Sequence, residues 1–180
     1  MKIYAARHGQ TDMNLRNEVS GVTDVELTEL GKEQARILAD KLLGKADKIS
    51  LIIASPMKRA QQTAHIVAEA LHVPVVTDER LREQDYGIFE GQSRFSEGFL
   101  SNKRQFAVSY PGGESMFRIA QRVYNFLDDA IAEYAPQNFL IVAHGGILRV
   151  VRTYFMDMTN DEYFYYNADN ASFEMYDVEK

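Results

Sequence analysis

The chain has no cysteine, and its 20 Lys and Arg residues are outnumbered by 26 Asp and Glu residues. Without cysteine, disulfide frameworks, thiolate metal sites and cysteine nucleophiles are excluded. The formal net charge of −6 argues against a general nucleic-acid-binding protein, so any basic site must be local. No apolar run approaches the ~20 residues that cross a bilayer, and Arg7 and His8 interrupt the apolar start. We therefore expect a cytoplasmic protein that associates with neither membrane nor nucleic acid.

The length and composition are those of one globular domain. The chain has 180 residues and 46% hydrophobic content, so we expect a single domain over residues 1–180. Residues 90–111 are polar and weakly patterned. We interpret them as a small excursion from the core with room for a short helix.

Short apolar runs predict the strands. Residues 3–6, 49–54 and 139–143 are continuous apolar runs, typical of strands buried on both faces of a parallel sheet. Residues 74–76 are a weaker fourth strand, and partial alternation over 171–178 predicts a late edge strand.

Helical periodicity lies between these strands. Thr28 is a predicted N-cap, and a second helix is predicted from Ser55 as N-cap with Pro56 at its first position. A third apolar stripe begins at Glu114 and stops before Pro136. Strands that alternate with helices predict an α/β sandwich with a mainly parallel sheet.

Three strands are followed at once by polar residues suited to chemistry. Arg7 and His8 follow the first strand, Arg59 follows the second and His144 follows the third. Ligands of open α/β sheets bind beyond the carboxyl ends of the strands, so these four side chains are expected to converge. Arginine forks match phosphate oxygens, and Arg59 in the first turn of a helix adds free backbone N–H groups. A metal is disfavoured because no carboxylate accompanies the histidines and the guanidiniums would repel it.

A histidine surrounded by positive charge is expected to stay neutral and nucleophilic near neutral pH. A second histidine can donate to a phosphoryl oxygen as charge develops. The reaction also requires an acid that protonates the leaving oxygen. Glu83 is a candidate by position alone, since it lies in a loop after the weak fourth strand.

The ordered motifs of the whole chain resemble the histidine phosphatase superfamily, the phosphoglycerate-mutase-like clan. The five blocks are Arg7-His8-Gly9-Gln10-Thr11 with Asn14, Ser55-Pro56-Met57-Lys58-Arg59 and its continuation to Ala64, Glu83 before Tyr86-Gly87, Pro111-Gly112-Gly113-Glu114-Ser115, and Val142-Ala143-His144-Gly145-Gly146. The resemblance implies a three-layer sandwich with helices on both faces of the sheet.

The resemblance also implies roles for the matching residues. His8 would be the nucleophile that becomes phosphorylated, and Glu83 would be the proton donor, with Asp85 as a second candidate or a partner in that role. The positions that match phosphate-binding residues are Arg7, Asn14, Arg59, His144 and Gly145. No metal and no cofactor are implied, because the cationic pocket stabilises the charge.

The leading interpretation is a metal-independent phosphatase for a small phosphorylated metabolite. A phosphoglycerate mutase is the alternative, disfavoured because residues 90–111 carry only Arg94, Lys103 and Arg104 as basic residues. The end at Lys180 is also expected to leave little for a closing tail. Phosphohistidine protein phosphatases of the clan typically lack the acid at Glu83, and a catalytically silent phosphate-binding module is a further alternative.

Several residues outside the motifs have plainer interpretations. Arg149 and Arg152 are expected on a solvated or salt-bridged helix face. Residues 163–166 are four consecutive aromatics, suited to packing, to a pocket wall or to a contact in a homodimer. Lys103 and Arg104 are expected to be ordinary surface charges. If the excursion folds over the site, they become candidates for binding an anionic tail of the substrate.

Overall fold

The computed structural model describes residues 1–45 and 47–178, in which strands and helices alternate as the periodicity predicts. The strands are β1 (Lys2–Arg7), β2 (Leu51–Ala54), β3 (Val75–Thr77), β4 (Phe139–Ala143) and β5 (Phe173–Asp177). The α-helices are α1 (Asp12–Leu15), α2 (Glu29–Leu43), α3 (Lys58–Leu71), α4 (Glu97–Lys103), α5 (Met116–Tyr134), α6 (Gly145–Phe155) and α7 (Asn160–Tyr165). Two 3-10 turns lie at Glu79–Leu81 and Gly87–Phe89.

The five strands form one sheet in the order β3-β2-β4-β1-β5. The β3–β2, β2–β4 and β4–β1 pairs are parallel, and β5 runs antiparallel to β1 at the edge. The predicted mainly parallel sheet and late edge strand are confirmed. Because β1, β2 and β4 are parallel neighbours, their carboxyl ends lie side by side, which places the segments that follow them at one rim.

Successive residues of each central strand enter two different cores. Ile3 and Ala5 pack on one face with α5 and α6, whereas Tyr4 and Ala6 pack on the other face with α2 and α3. Burial on both faces explains why the central strands are continuously apolar rather than alternating. The predicted three-layer sandwich is confirmed.

Of the two predicted N-caps, Thr28 is confirmed and Ser55 is not. The Thr28 side chain accepts from the Gly31 amide at the start of α2. The Ser115 hydroxyl accepts from the Arg118 amide at the start of α5. The prediction for Ser55 and Pro56 was wrong, since α3 begins at Lys58 with Met57 as N-cap. The Ser55 hydroxyl instead lies 2.7 Å from the His144 ring, a contact between distant residues that local propensity cannot reveal.

The excursion contains one short helix, α4, as expected. Its Phe99 packs with Val19 and Tyr110 in a small third hydrophobic cluster. This cluster fixes α4 beside the rim where the motifs end, so the excursion lies over the site. No helix among the described residues combines the length and apolar character needed to cross a bilayer.

Candidate active site

The four predicted side chains meet at the carboxyl rim of the sheet. The backbone amide of His8 donates to the carbonyl of Ala143, which extends the β1–β4 pairing past the strand ends. The His8 and His144 rings lie 5.2 Å apart between centroids. Nε of Arg59 donates to Nδ1 of His144 at 3.2 Å. Neighbouring parallel strands therefore bring together residues that are 85 and more positions apart in sequence.

The tautomer of His8 follows from a local contact. Nδ1 of His8 lies 2.7 Å from the carbonyl oxygen of Gly9, which can only accept, so Nδ1 carries the proton. Nε2 therefore holds the free lone pair. Burial lowers the pKa of His8 well below its usual 6.5, and the charges of Arg59 and then Arg7 lower it further. The ring is thus a neutral imidazole with a nucleophilic Nε2 at neutral pH.

His144 is engaged at both ring nitrogens. Nδ1 accepts from Arg59, and Nε2 lies 2.7 Å from the Ser55 hydroxyl. Burial first, and then Arg59, lower the pKa of His144 well below its usual value, so this ring is also neutral. A direct donation from Nδ1 to a phosphoryl oxygen requires Ser55 to donate to Nε2, which would move the ring proton to Nδ1. In the structure Nδ1 accepts from Arg59, so the ring proton lies on Nε2 and is donated to the Ser55 hydroxyl.

The Arg59 guanidinium is fully buried and is held by backbone carbonyls. Nη2 donates to the Gly21 carbonyl and Nη1 to the Thr23 carbonyl, each at 2.8 Å. The same loop is held from the other side by the Glu90 carboxylate, which accepts from the amides of Gly21, Val22 and Thr23. Glu90 also accepts from the Thr23 hydroxyl at 2.6 Å. The loop thus lies between one carboxylate and one guanidinium.

Arg7 presents an unpartnered donor in the site. Its Nη1 donates to the Ala168 carbonyl at 2.6 Å, while its buried Nε has no hydrogen-bond partner within the described chain. Burial, followed by the charge of Arg94, lowers the pKa of Arg7 to about 10, which leaves it charged at neutral pH. A buried cationic donor without an acceptor favours an anionic ligand at this point.

Glu83 is buried at the start of α6. Its Oε2 accepts from the Gly146 amide at 3.0 Å and its Oε1 accepts from the Gln84 amide at 2.9 Å. A Cβ on Gly146 would lie 2.5 Å from Oε1, so only glycine allows the carboxyl group to approach the helix this closely. Asp85 is placed differently: its carboxylate accepts from the Gly87 amide, and it does not line the cavity that Glu83 lines. The geometry favours Glu83 over Asp85 as the acid.

Asn14 is held by a contact from the far end of the chain. Its Oδ1 accepts from the Thr11 amide and from Nδ2 of Asn170, both at 3.1 Å. Nδ2 of Asn170 also lies within hydrogen-bond distance, 3.1 Å, of the His8 carbonyl. Both contacts of Asn14 use its oxygen, so its amide nitrogen is the group that can meet a ligand.

A cavity of about 830 Å³ opens above these residues. It is lined by four of the predicted site residues, Arg7, Asn14, Glu83 and Gly145. His8, Arg59 and His144 lie beneath, at 3%, 0% and 0% exposure. The other walls come from the excursion, α6 and α7, and include Arg94, Lys103, Arg104, Arg149, Phe164, Tyr165 and Tyr166.

The cavity determines the surroundings of several basic residues outside the motifs. Arg149 was predicted on a solvated or salt-bridged face, but it lines the cavity and makes no ion pair within the described chain. Its neighbour Arg152 does form the expected ion pair, with Glu174 at 2.9 Å. The excursion folds over the site. Lys103 and Arg104 therefore line the cavity and are not ordinary surface charges.

The geometry agrees with what comparisons with known proteins find. Residues 3–180 match the family model described as histidine phosphatase superfamily, branch 1. The chain belongs to this superfamily. The resemblance stated from the five motif blocks is confirmed.

Some relatives of this histidine phosphatase are named as phosphatases and others as phosphoglycerate mutases. It is 35% identical over 151 residues to the Bacillus subtilis protein named "Uncharacterized phosphatase PhoE", covering 84% of this chain and 75% of that protein. It is 33% identical over 157 residues to the Yersinia pestis protein named "Probable phosphoglycerate mutase GpmB", covering 82% and 71%. The structure of a mycobacterial glucosyl-3-phosphoglycerate phosphatase with VO3 matches with a TM-score of 0.84 and 28% identity, covering 97% of this chain and 91% of that one. The predicted enzyme class, a phosphatase of the histidine type, is confirmed.

Three residues that shape the site of this histidine phosphatase had no usable signal in the sequence. Asn170 stands in a sequon-like triplet, Glu90 is the first residue of the weakly patterned segment 90–111, and Ser55 has the local pattern of a helix cap. Each acts on backbone or on a side chain from a distant segment, at 3.1 Å or less. Only the folded sheet brings these partners together.

Proposed function

We propose that this histidine phosphatase hydrolyses small phosphate monoesters through a phosphohistidine on Nε2 of His8. The observation that carries the proposal is the state of that ring, with Nδ1 protonated against the Gly9 carbonyl and Nε2 free beside two guanidiniums. Arg7 and Arg59 supply fixed positive charge where the phosphoryl oxygens would gain negative charge. Asn14 and Gly145 would complete the phosphate contacts.

The reaction would proceed by two displacements. In the first, Nε2 of His8 attacks phosphorus, the bond from phosphorus to the ester oxygen breaks, and the acid form of Glu83 gives its proton to the leaving oxygen. In the second, the Glu83 carboxylate takes a proton from water as the water oxygen attacks phosphorus. The bond from phosphorus to Nε2 then breaks, which returns His8 to its neutral form and releases inorganic phosphate.

His144 would enter this sequence through its tautomer. With Ser55 as donor to Nε2, Nδ1 of His144 would carry a proton and could donate to a phosphoryl oxygen in place of accepting from Arg59. The Nε–H of Arg59 would then also turn to the phosphoryl group. The hydrogen bond between Arg59 and His144 is thus a contact that both residues would exchange for contacts with the substrate.

Hydrolysis, rather than transfer to a second ligand, is the proposed outcome. The segment over the site, residues 90–111, is short and its basic residues are only Arg94, Lys103 and Arg104. A small phosphorylated metabolite is the proposed ligand, and a cytoplasmic location and a homodimer stay predictions of the sequence.

The test measures both intermediate and product. Brief reaction with a radiolabelled ester followed by denaturation should leave acid-labile label on the wild-type chain and none on His8→Ala. Release of phosphate from sugar phosphates, nucleotides, phosphoglycerates and phosphopeptides should depend on His8 in the same way. Label on a residue other than His8 contradicts the proposal. Isomerisation of 3-phosphoglycerate that outpaces phosphate release when 2,3-bisphosphoglycerate is supplied would assign the mutase reaction instead.

A further inference from the structure

Four cationic side chains face the same cavity as Arg7 and Glu83 from three separate segments. Arg94 comes from the excursion loop, Lys103 and Arg104 from the end of α4, and Arg149 from α6. We call these four residues the basic wall. The proposed reaction uses none of them.

The basic wall makes no ion pair with any acidic side chain of the described residues. Its members donate to neutral oxygens instead. Nζ of Lys103 donates to the Phe164 carbonyl at 2.7 Å, and Nη2 of Arg149 donates to the Tyr166 carbonyl at 3.2 Å. The buried Nε of Arg149 has no partner within the same residues. In a chain with a net charge of −6, four cations that share a cavity without carboxylate partners indicate a place for an anion from outside.

The ring of Phe164 helps to orient the wall. The Arg104 guanidinium lies 3.9 Å from the ring centroid and the Lys103 ammonium 4.6 Å from it. Contact through the ring face leaves the N–H edge of a guanidinium available for the two oxygens of a carboxylate or phosphate.

The surroundings of Lys103 lower its pKa. Burial first, and then the charges of Arg149, Arg94 and Arg104, lower its pKa to about 7. The acids lining the same cavity are Glu18, Glu83 and Glu97; Glu18 is paired with Arg16 and Glu83 is bonded to backbone amides. An anion among these cations would reverse the repulsion, so its binding favours the protonated form of Lys103.

We propose that the basic wall binds a second anionic group of the substrate and that this binding takes up a proton on Lys103. The substrate class is then a compact phosphate monoester that also carries a carboxylate or a second phosphate. The proposal rests on the proposed function for the position of the reacting phosphate. The wall itself is a separate set of residues, so its failure and that of the reaction are distinguishable.

Calorimetry on the His8→Asn variant tests the wall without turnover. Titrations with 3-phosphoglycerate and with glycerol 3-phosphate, which lacks the carboxylate, are run at pH 8 in buffers of different ionisation enthalpy. The carboxylate ligand should bind at least about tenfold more tightly, as expected for charge-assisted hydrogen bonds. It should also take up close to one proton more than glycerol 3-phosphate, because Lys103 is mostly neutral at that pH. Its Kd should rise with pH above 7 by up to about tenfold per pH unit.

Lys103→Met in the same background is the decisive variant, with Lys32→Met as its matched control. Lys32 is paired with Glu29 on the surface of α2, so this control should change neither affinity nor proton uptake. Lys103→Met should abolish the extra proton uptake and remove most of the preference for the carboxylate ligand, with circular dichroism unchanged. Equal affinity in the His8→Asn protein within both ligand pairs, 3-phosphoglycerate against glycerol 3-phosphate and fructose 1,6-bisphosphate against fructose 6-phosphate, overturns the proposal. Extra proton uptake that persists in Lys103→Met overturns it as well.

Kinetics on the protein with His8 intact separate the two ligand chemistries. Wild type is compared on 3-phosphoglycerate against glycerol 3-phosphate, and on fructose 1,6-bisphosphate against fructose 6-phosphate. A preference only in the first pair assigns a carboxylate to the wall, and a preference only in the second assigns a phosphate. No turnover of any ester, with the calorimetric preference retained, would refute the phosphatase reaction and leave the wall supported. Turnover without a preference in either pair refutes the wall and leaves the reaction supported.

Discussion

Glu90 is predicted to position Arg59, although the two side chains are joined only through the loop between them. Oε2 of Glu90 accepts from the amides of Gly21 and Thr23 and from the Thr23 hydroxyl. Oε1 accepts from the amides of Val22 and Tyr86. The carbonyls of Gly21 and Thr23 in turn receive the two terminal nitrogens of Arg59. Substitution of Glu90 therefore acts on the guanidinium through two peptide units.

The magnitude follows from counting donors in a Glu90→Gln variant. An amide group replaces one oxygen, so at least two of the five donors lose their acceptor whichever way the glutamine turns. Each bond contributes about 1 kcal/mol net, so the ordered conformation of the loop is destabilised by about 2 kcal/mol. That free energy corresponds to a decrease of about 30-fold in the equilibrium constant for loop ordering, so we expect kcat/KM to fall by about 10-fold, with about 30-fold as the upper bound. The loop can open without the sheet, so the Tm should fall by only a few degrees.

Hydrogen exchange distinguishes positioning from general destabilisation. Glu90→Gln should lose protection at the amides of residues 21–23 and keep it in β1 and β4. Glu29→Gln is the matched control, because Glu29 makes an exposed ion pair with Lys32, worth at most about 1 kcal/mol. A Glu90→Gln protein with kcat/KM within threefold of wild type would refute the positioning role. Loss of protection across the whole sheet, in parallel with loss of activity, would refute it as well.

Two further predictions concern Glu83 and the histidines. Glu83→Gln should lower kcat/KM on alkyl phosphates by about 100-fold and kcat/KM on p-nitrophenyl phosphate by less than about fivefold, because kcat/KM reports the first displacement, in which only the alkoxide needs a proton. Equal losses of kcat/KM on both esters would contradict the acid role. The depressed pKa of His8 makes the unfolded chain bind more protons than the folded one below the ordinary value of 6.5. The free energy of unfolding should therefore be intact above pH 6.5 and fall as the solution becomes more acidic, with up to about 1.4 kcal/mol per pH unit from this group. His8→Asn should remove that share of the slope between pH 6.5 and 5 in chemical denaturation, and an unchanged slope would show that burial does not shift this histidine.

The positions of Arg7, His8 and His144 were predictable because they depend on one general property of parallel sheets. The apolar runs before them are continuous, and such runs pair in the centre of a sheet with their carboxyl ends aligned. The structure brings these residues together through the β1–β4 register, in which Arg7 lies opposite Ala143. The phosphatase class came from the same residues together with the order of the motifs.

The roles of Ser55 and Arg149 were not predictable, because each depends on a partner from another part of the chain. A serine before a proline is a good local signal for a helix start, yet the Ser55 hydroxyl is used by His144, 89 residues away. Arg149 lies on the helix face that a periodicity argument assigns to solvent. The excursion and α7 cover that face. Phe99 of the excursion packs with Tyr110, and Tyr163 of α7 packs with Phe106, contacts that no local pattern reveals.

The neutrality of His8 has two causes, burial and neighbouring positive charge. The sequence predicts that neighbouring arginines depress the pKa of His8, but burial is the larger cause and the guanidiniums are secondary. This order matters for the proposed reaction, because a phosphate dianion would offset the charges of Arg7 and Arg59 as it binds. If those charges alone held the imidazole neutral, the substrate would raise its pKa at the moment the lone pair is needed. Burial persists when the substrate binds, so the nucleophile stays neutral while the arginines are occupied with the phosphoryl oxygens.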